Sequence, residues 1–211
     1  MEKNYRNKWA VIVLAAGSSK RMGYDKALLK FDKYQTFIEK IIAEYLVAGC
    51  RNIIIVANEN NNLLINRALQ KMNIKGLQII VNLHPEYERF YSIKLAAKVF
   101  TGEFCFIQDC DRPFINSLLI MKMIGCDFNG DYLIPLHKGQ KGHPVLLKKT
   151  ITGQMIKSKE NCNHLKKFLE TFSENTVETG SDAVIKNINN PKEYKEFVIN
   201  TTNTQKTKSL L

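Results

Sequence analysis

Short apolar runs alternate along most of the chain with longer stretches in which apolar residues recur every three or four positions. The runs at 10–15, 53–57, 77–81, 104–108, 132–135, 144–147 and 184–188 are brief and rich in β-branched or aromatic residues. That composition predicts strands buried on both faces. Phe37, Ile38, Ile41, Ile42, Tyr45 and Leu46 fall on one side of a helix that Gly49 would stop. Leu63, Leu64, Ala68, Leu69 and Met72 mark a second helix. Positions 92–100 and 116–124 mark two more, the last with Asn116 placed as its cap. The alternation predicts a single-domain, Rossmann-like three-layer α/β fold with a mainly parallel sheet. Residues 1–8 read as a polar extension, 9–199 as the domain and 200–211 as a frayed polar tail.

Composition narrows the class. Hydrophobic residues at 45% and charged residues at 24% fit a soluble globular chain with a substantial core. Charges precede the apolar run 9–16, as in a secretory signal, but glycine, serine and basic residues follow at once, so a buried strand fits better. No apolar segment approaches the roughly 20 residues that cross a bilayer, and a cytoplasmic protein is expected. Cys50, Cys105, Cys110, Cys126 and Cys162 are odd in number, irregularly spaced and without a C-x-x-C pair. They support neither a disulfide framework nor a zinc site. The net charge of +11 raises nucleic-acid binding, yet the basic groupings Lys148-Lys149 and Lys166-Lys167 are only pairs. A preference for small anionic substrates fits that distribution better than a nucleic-acid surface.

Open sheets of this kind bind ligands at the carboxyl ends of their strands, which directs attention to the loops there. The first strand runs into a loop of small residues, Leu14, Ala15, Ala16, Gly17 and Ser18. Small side chains let backbone N–H groups approach a ligand, and Arg21 and Lys26 add fixed positive charge nearby, a combination suited to a triphosphate. The spacing is neither that of a P-loop nor that of a dinucleotide fingerprint. At the end of the fourth strand stand Asp109 and Asp111, which would share one face if the strand continued that far. Magnesium takes one or two carboxylates together with substrate phosphates. Asn190, Pro191 and Glu193 form a helix start, with cap, proline and acid in their preferred places.

Read from Leu14 to Leu29, the pattern LAAG-x-S-x-RMG-x-x-K-x-LL resembles the signature of the molybdenum-cofactor nucleotidyltransferases and their relatives. Asp111-Arg112-Pro113 is similar to the D-x-P element of that family, and Asn187 to Pro191 to its closing element. The resemblance implies a nucleotidyltransferase fold, contact of Arg21 and Lys26 with the triphosphate, and Asp111 as principal Mg2+ ligand. It implies Asn189 as the second protein oxygen on the metal, an uncharged one here. Ala16 favours CTP, since LAAG accompanies CTP use and LAGG accompanies GTP use. Gly142 and His143 match a G-H-P segment near the acceptor pocket, while Asn82 and Ser92 match an N…S segment that normally holds a glycine between them. Glu88, Arg89, Phe90 and Tyr91 fill that interval here. Asn58 is a candidate base contact. The expected reaction joins CMP from CTP to a small phosphorylated acceptor, molybdopterin first among them. A sugar or polyol phosphate, or a nucleotide-binding role without turnover, stand as alternatives.

Overall fold

The computed structural model describes residues 8–17, 22–159 and 164–208, with side chains up to residue 199. The first four expected strands form as β1 (Trp9–Leu14), β2 (Asn52–Asn58), β3 (Leu77–Asn82) and β4 (Phe104–Asp109). All four run parallel, in the order β3-β2-β1-β4. Side chains alternate across the sheet. Val11 and Val13 pack beneath α1 (Phe37–Val47), α2 (Asn62–Gln70) and α4 (Ser117–Gly125). Ala10, Ile12 and Leu14 pack against α3 (Glu88–Ala97), α5 (Lys149–Lys157) and α6 (Leu165–Leu169). Every residue of β1 is buried. Each such Val, Ile or Leu contributes about 1.5–3 kcal/mol relative to exposure, so the central strand anchors both helix layers.

Beyond β4 the sheet turns mixed. β5 (Tyr132–His137) is flanked on one edge by β6 (Gln140–Lys141) and β7 (Val145–Lys148), both antiparallel to it, and β7 is also antiparallel to β4. The other edge of β5 carries β8 (Glu174–Glu178), which runs parallel to it. No helix among the described residues is long and apolar enough to cross a membrane.

The expected strand at 184–188 does not form. Ser181 Oγ accepts from Ala183 N and sets up a 3-10 turn, Asp182–Val184, followed by irregular chain. Val184 O then accepts from His143 N at 2.8 Å, and Ile188 N donates to the Asp111 carbonyl at 2.9 Å. Single bonds to two different elements replace a ladder, and they draw this segment across the carboxyl ends of the strands. It leads into α7 (Pro191–Lys208), where Asn190 Oδ1 caps Glu193 N at 3.0 Å as expected. Tyr194 and Phe197 of α7 pack on Phe37, and Phe197 also packs on Phe31 and Phe114. The helical backbone continues to Lys208, through residues 200–208 of the expected tail.

Candidate active site

Leu14 and Asp109 pair in register at the ends of β1 and β4, so the loops after these strands leave the sheet side by side. A cleft of about 540 Å³ opens between them. Leu14, Ala16, Gly17, Met22 and Lys26 line it from the first loop, and Pro85, Glu88, Arg89 and Ser92 from the start of α3. Asp109, Cys110 and Asp111 form its floor, and Asn189 reaches it from the closing segment. A recess of about 420 Å³ adjoins it through Gly17 and Pro85, walled by Tyr24, Asp25, Asn58, Asn61 and Asn82 among others.

Asparagines at the end of β2 hold the first loop. Asn61 Nδ2 donates to Ala15 O at 2.8 Å and Asn58 Nδ2 to Ala16 O at 3.3 Å. Asn58 Oδ1 accepts from the backbone N–H groups of Asn60 and Asn61. Asn58 therefore organises the loop while lining the recess. Asp25 Oδ1 accepts from Ala27 N at 2.9 Å and caps the 3-10 turn Lys26–Leu28, which aims Lys26 into the cleft. Burial pushes the Asp25 carboxyl above its usual range, against hydrogen bonds from Asn61 and the backbone. Ser18 and Arg21 lie outside the described residues.

Two parts of the sequence-derived site come together directly. Lys26 Nζ lies 3.2 Å from Asp111 Oδ2, and both side chains are largely buried. The bond from Ile188 N to the Asp111 carbonyl brings the closing segment alongside, so Asn189 enters the same cleft. Asn189 N donates to Glu193 Oε2 at 2.6 Å, and among the described residues its side chain makes no hydrogen bond. A carboxylate and an amide oxygen facing one cleft are a donor set suited to a hard cation that also takes phosphate oxygens.

Asp109 ends β4 and has other partners. Its Oδ2 lies 3.0 Å from Arg89 Nη2, 3.6 Å from His143 Nδ1 and 3.9 Å from Arg112 Nε. Burial, reinforced by the charges of Arg112 and Arg89, pushes the His143 imidazole down to about 3. The ring is neutral near pH 7, and its approach to Asp109 is not an ion pair. Asn82 Nδ2 donates to Ser92 Oγ at 3.0 Å, so this expected pair is joined and braces the wall beside the cleft. Gly142 and His143 do not line the cleft. Gly142 presses on the 3-10 turn, where a Cβ would sit 2.5 Å from Val184 O, and His143 stands behind the floor. Sequence reasoning did not single out Pro85, Glu88 or Arg89 as cleft residues. The one signal was the missing glycine between Asn82 and Ser92.

The fold and the loop chemistry define a nucleotide-handling α/β enzyme, and comparison with known proteins agrees. The chain belongs to the MobA-like NTP transferase domain family, whose model matches residues 11–178. It is 30% identical over 185 residues to the molybdenum cofactor cytidylyltransferase of Escherichia coli (strain K12), covering 87% of this chain and 92% of that protein. It is 28% identical over 175 residues to a probable molybdenum cofactor guanylyltransferase of Clostridium perfringens (strain SM101 / Type A), covering 81% and 82%. Among solved structures, the 4-diphosphocytidyl-2C-methyl-D-erythritol synthase of Anaerococcus prevotii DSM 20548 superposes with a TM-score of 0.75. That match covers 93% of this chain and 97% of the other at 15% identity, a likeness of fold. The protein is a nucleotidyltransferase.

Proposed function

We propose that this enzyme transfers CMP from CTP to a phosphorylated acceptor, molybdopterin first among candidates, with Mg2+ and release of pyrophosphate. The observation that carries the reading is the convergence of Lys26, Asp111 and Asn189 on one cleft beside the small-residue loop. Ala16 supports cytidine. Its Cβ takes up room that a glycine would leave open, and a pyrimidine needs less space than a purine. The 30% identity to a cytidylyltransferase points the same way.

In the mechanism that follows, Gly17 and its neighbours bring backbone N–H groups toward the triphosphate. Lys26 would place a cation beside the α-phosphoryl oxygens, where negative charge grows. The acceptor's phosphate oxygen attacks that phosphorus in line, and the bond to pyrophosphate breaks. Asp111 and Asn189 would hold the magnesium ion, which supplies charge neutralisation to the phosphate oxygens when bound. Among the described residues no Ser-His or Cys-His pair is arranged for covalent catalysis, and the route needs none. Positioning and electrostatics do the work. Mass spectrometry of a reaction with CTP, magnesium and reduced molybdopterin should find a CMP conjugate of the acceptor. Hydrolysis to CMP alone, with no conjugate, would count against molybdopterin. A polyol phosphate is the second reading, favoured by the absence of a glycine between Asn82 and Ser92 on the acceptor side, and the same assay with a polyol phosphate as acceptor tests it.

A further inference from the structure

The chemistry above leaves unused a charged cluster on the wall of the cleft. One carboxylate, Asp109, faces the guanidiniums of Arg89 at 3.0 Å and Arg112 at 3.9 Å. With His143 neutral, the cluster is net positive. Arg89 Nε is shielded from solvent and makes no hydrogen bond among the described residues, while Arg89 Nη2 meets only Asp109. A buried donor is rarely left so, and one on the cleft wall suits a ligand that accepts from it. The backbone points the same way. Glu88, immediately before Arg89, sits at φ +60° and ψ −164°, a region that side-chain-bearing residues seldom occupy. Strain of this kind persists where the surrounding structure enforces it, often at ligand clamps. Here it sets Arg89 in the first turn of α3, on the same cleft as Asp111 and Ser92.

We propose that Arg89, held by Asp109 and backed by Arg112, is the clamp for the acceptor's phosphate in this enzyme. The inference rests on the nucleotidyltransferase reading and adds to it the group through which the acceptor is gripped. A guanidinium fork matches two oxygens of a phosphate monoester, which an ammonium cannot do. Asp109 is a positioning residue. It orients the fork before the acceptor arrives and competes with the phosphate for it, while Arg112 balances the charge that Asp109 keeps when Arg89 turns to the ligand.

The test is steady-state pyrophosphate release with CTP and magnesium at varied acceptor. Arg89→Gln should raise the acceptor KM about ten- to a hundredfold, with the CTP KM moving less than about twofold, and Arg89→Lys should recover only part of the loss. Asp109→Asn should split the parameters, lowering the acceptor KM because the competitor is gone and lowering kcat because the fork is no longer aimed. An acceptor KM unchanged in Arg89→Gln, or an equal rise for CTP and acceptor, would overturn the clamp. If the wild-type protein turns over no acceptor, the transferase reading fails on its own. The clamp then remains readable from 31P line broadening of inorganic phosphate at low salt. Binding about tenfold weaker in Arg89→Gln supports it, and equal binding in the two proteins refutes it.

Discussion

Replacing Glu88 by glycine should leave the protein more stable than replacing it by alanine, which is the reverse of what glycine ordinarily does at the start of a helix. At φ +60° and ψ −164° the Glu88 backbone occupies a region open almost solely to glycine, at a cost of about 1–3 kcal/mol for any residue with a Cβ. Glycine removes that cost but loses about 0.5–1 kcal/mol through the greater freedom of the unfolded chain. It also forgoes the acid in the first turn of α3, worth roughly 0.3–1 kcal/mol. Glu88→Ala is the control, because alanine keeps the strain and gives up the same acid. The difference between the two variants isolates the backbone, and glycine should exceed alanine by about 1–2 kcal/mol. Urea unfolding with unchanged m-values reads this as a shift in midpoint. Thermal unfolding should place the glycine variant about 2–8 °C above the alanine variant, from a slope of about 2–4 °C per kcal/mol for a chain of this size. An alanine variant as stable as the glycine variant, or more stable, would mean that residue 88 is unstrained, and would remove one support of the Arg89 clamp.

Three further outcomes follow from the same geometry. His143 is held neutral, down to about 3, by burial and two arginines, so folding is opposed once the unfolded imidazole begins to take up protons near its usual 6.5. Its contribution is present in full above that value and lost as pH falls toward the folded value, at up to about 1.4 kcal/mol per pH unit. His143→Gln should flatten the stability profile between pH 6.5 and 5, and an unaltered slope would contradict the assignment. Gly142→Ala forces a Cβ to within 2.5 Å of Val184 O, and a loss of about 1–3 kcal/mol is expected by calorimetry. A melting temperature equal to wild type would show that the contact yields freely. Asn189→Asp adds a charge beside Asp111 and should lower the half-saturating magnesium concentration by about tenfold, as ligand charge does in other oxygen sites. No change in that concentration would remove Asn189 from the metal site.

The central sheet was legible because its strands are apolar on both faces, and a continuous run such as 10–15 has no reading as a surface element. β8 was not, since Glu174, Asn175, Thr176 and Glu178 look like loop and the strand lies at the sheet edge, only partly buried. The segment 184–188 failed in the opposite sense. Its apolar residues, Val184 and Ile188, are buried, but beneath the loops at the strand ends and not in a ladder. In α2 the face was only partly right: Leu69 enters the core as expected, but Leu63 and Leu64 are exposed and Ile65 is buried instead. Of the candidate site, the cleft residues Lys26, Asp111 and Asn189 could be named because the spacing of their motifs survives in the chain. Arg89 belongs to no motif, and only its distance to Asp109, 20 residues away in sequence, gives it meaning.

The most direct test is pyrophosphate release by the purified protein with magnesium, reduced molybdopterin and each of the four NTPs in turn. The account predicts release with CTP, little with the other three, and none when Asp111 is replaced by alanine in a protein that still folds. Release that persists in Asp111→Ala, or none with any nucleotide when polyol phosphates are tried as well, would contradict it.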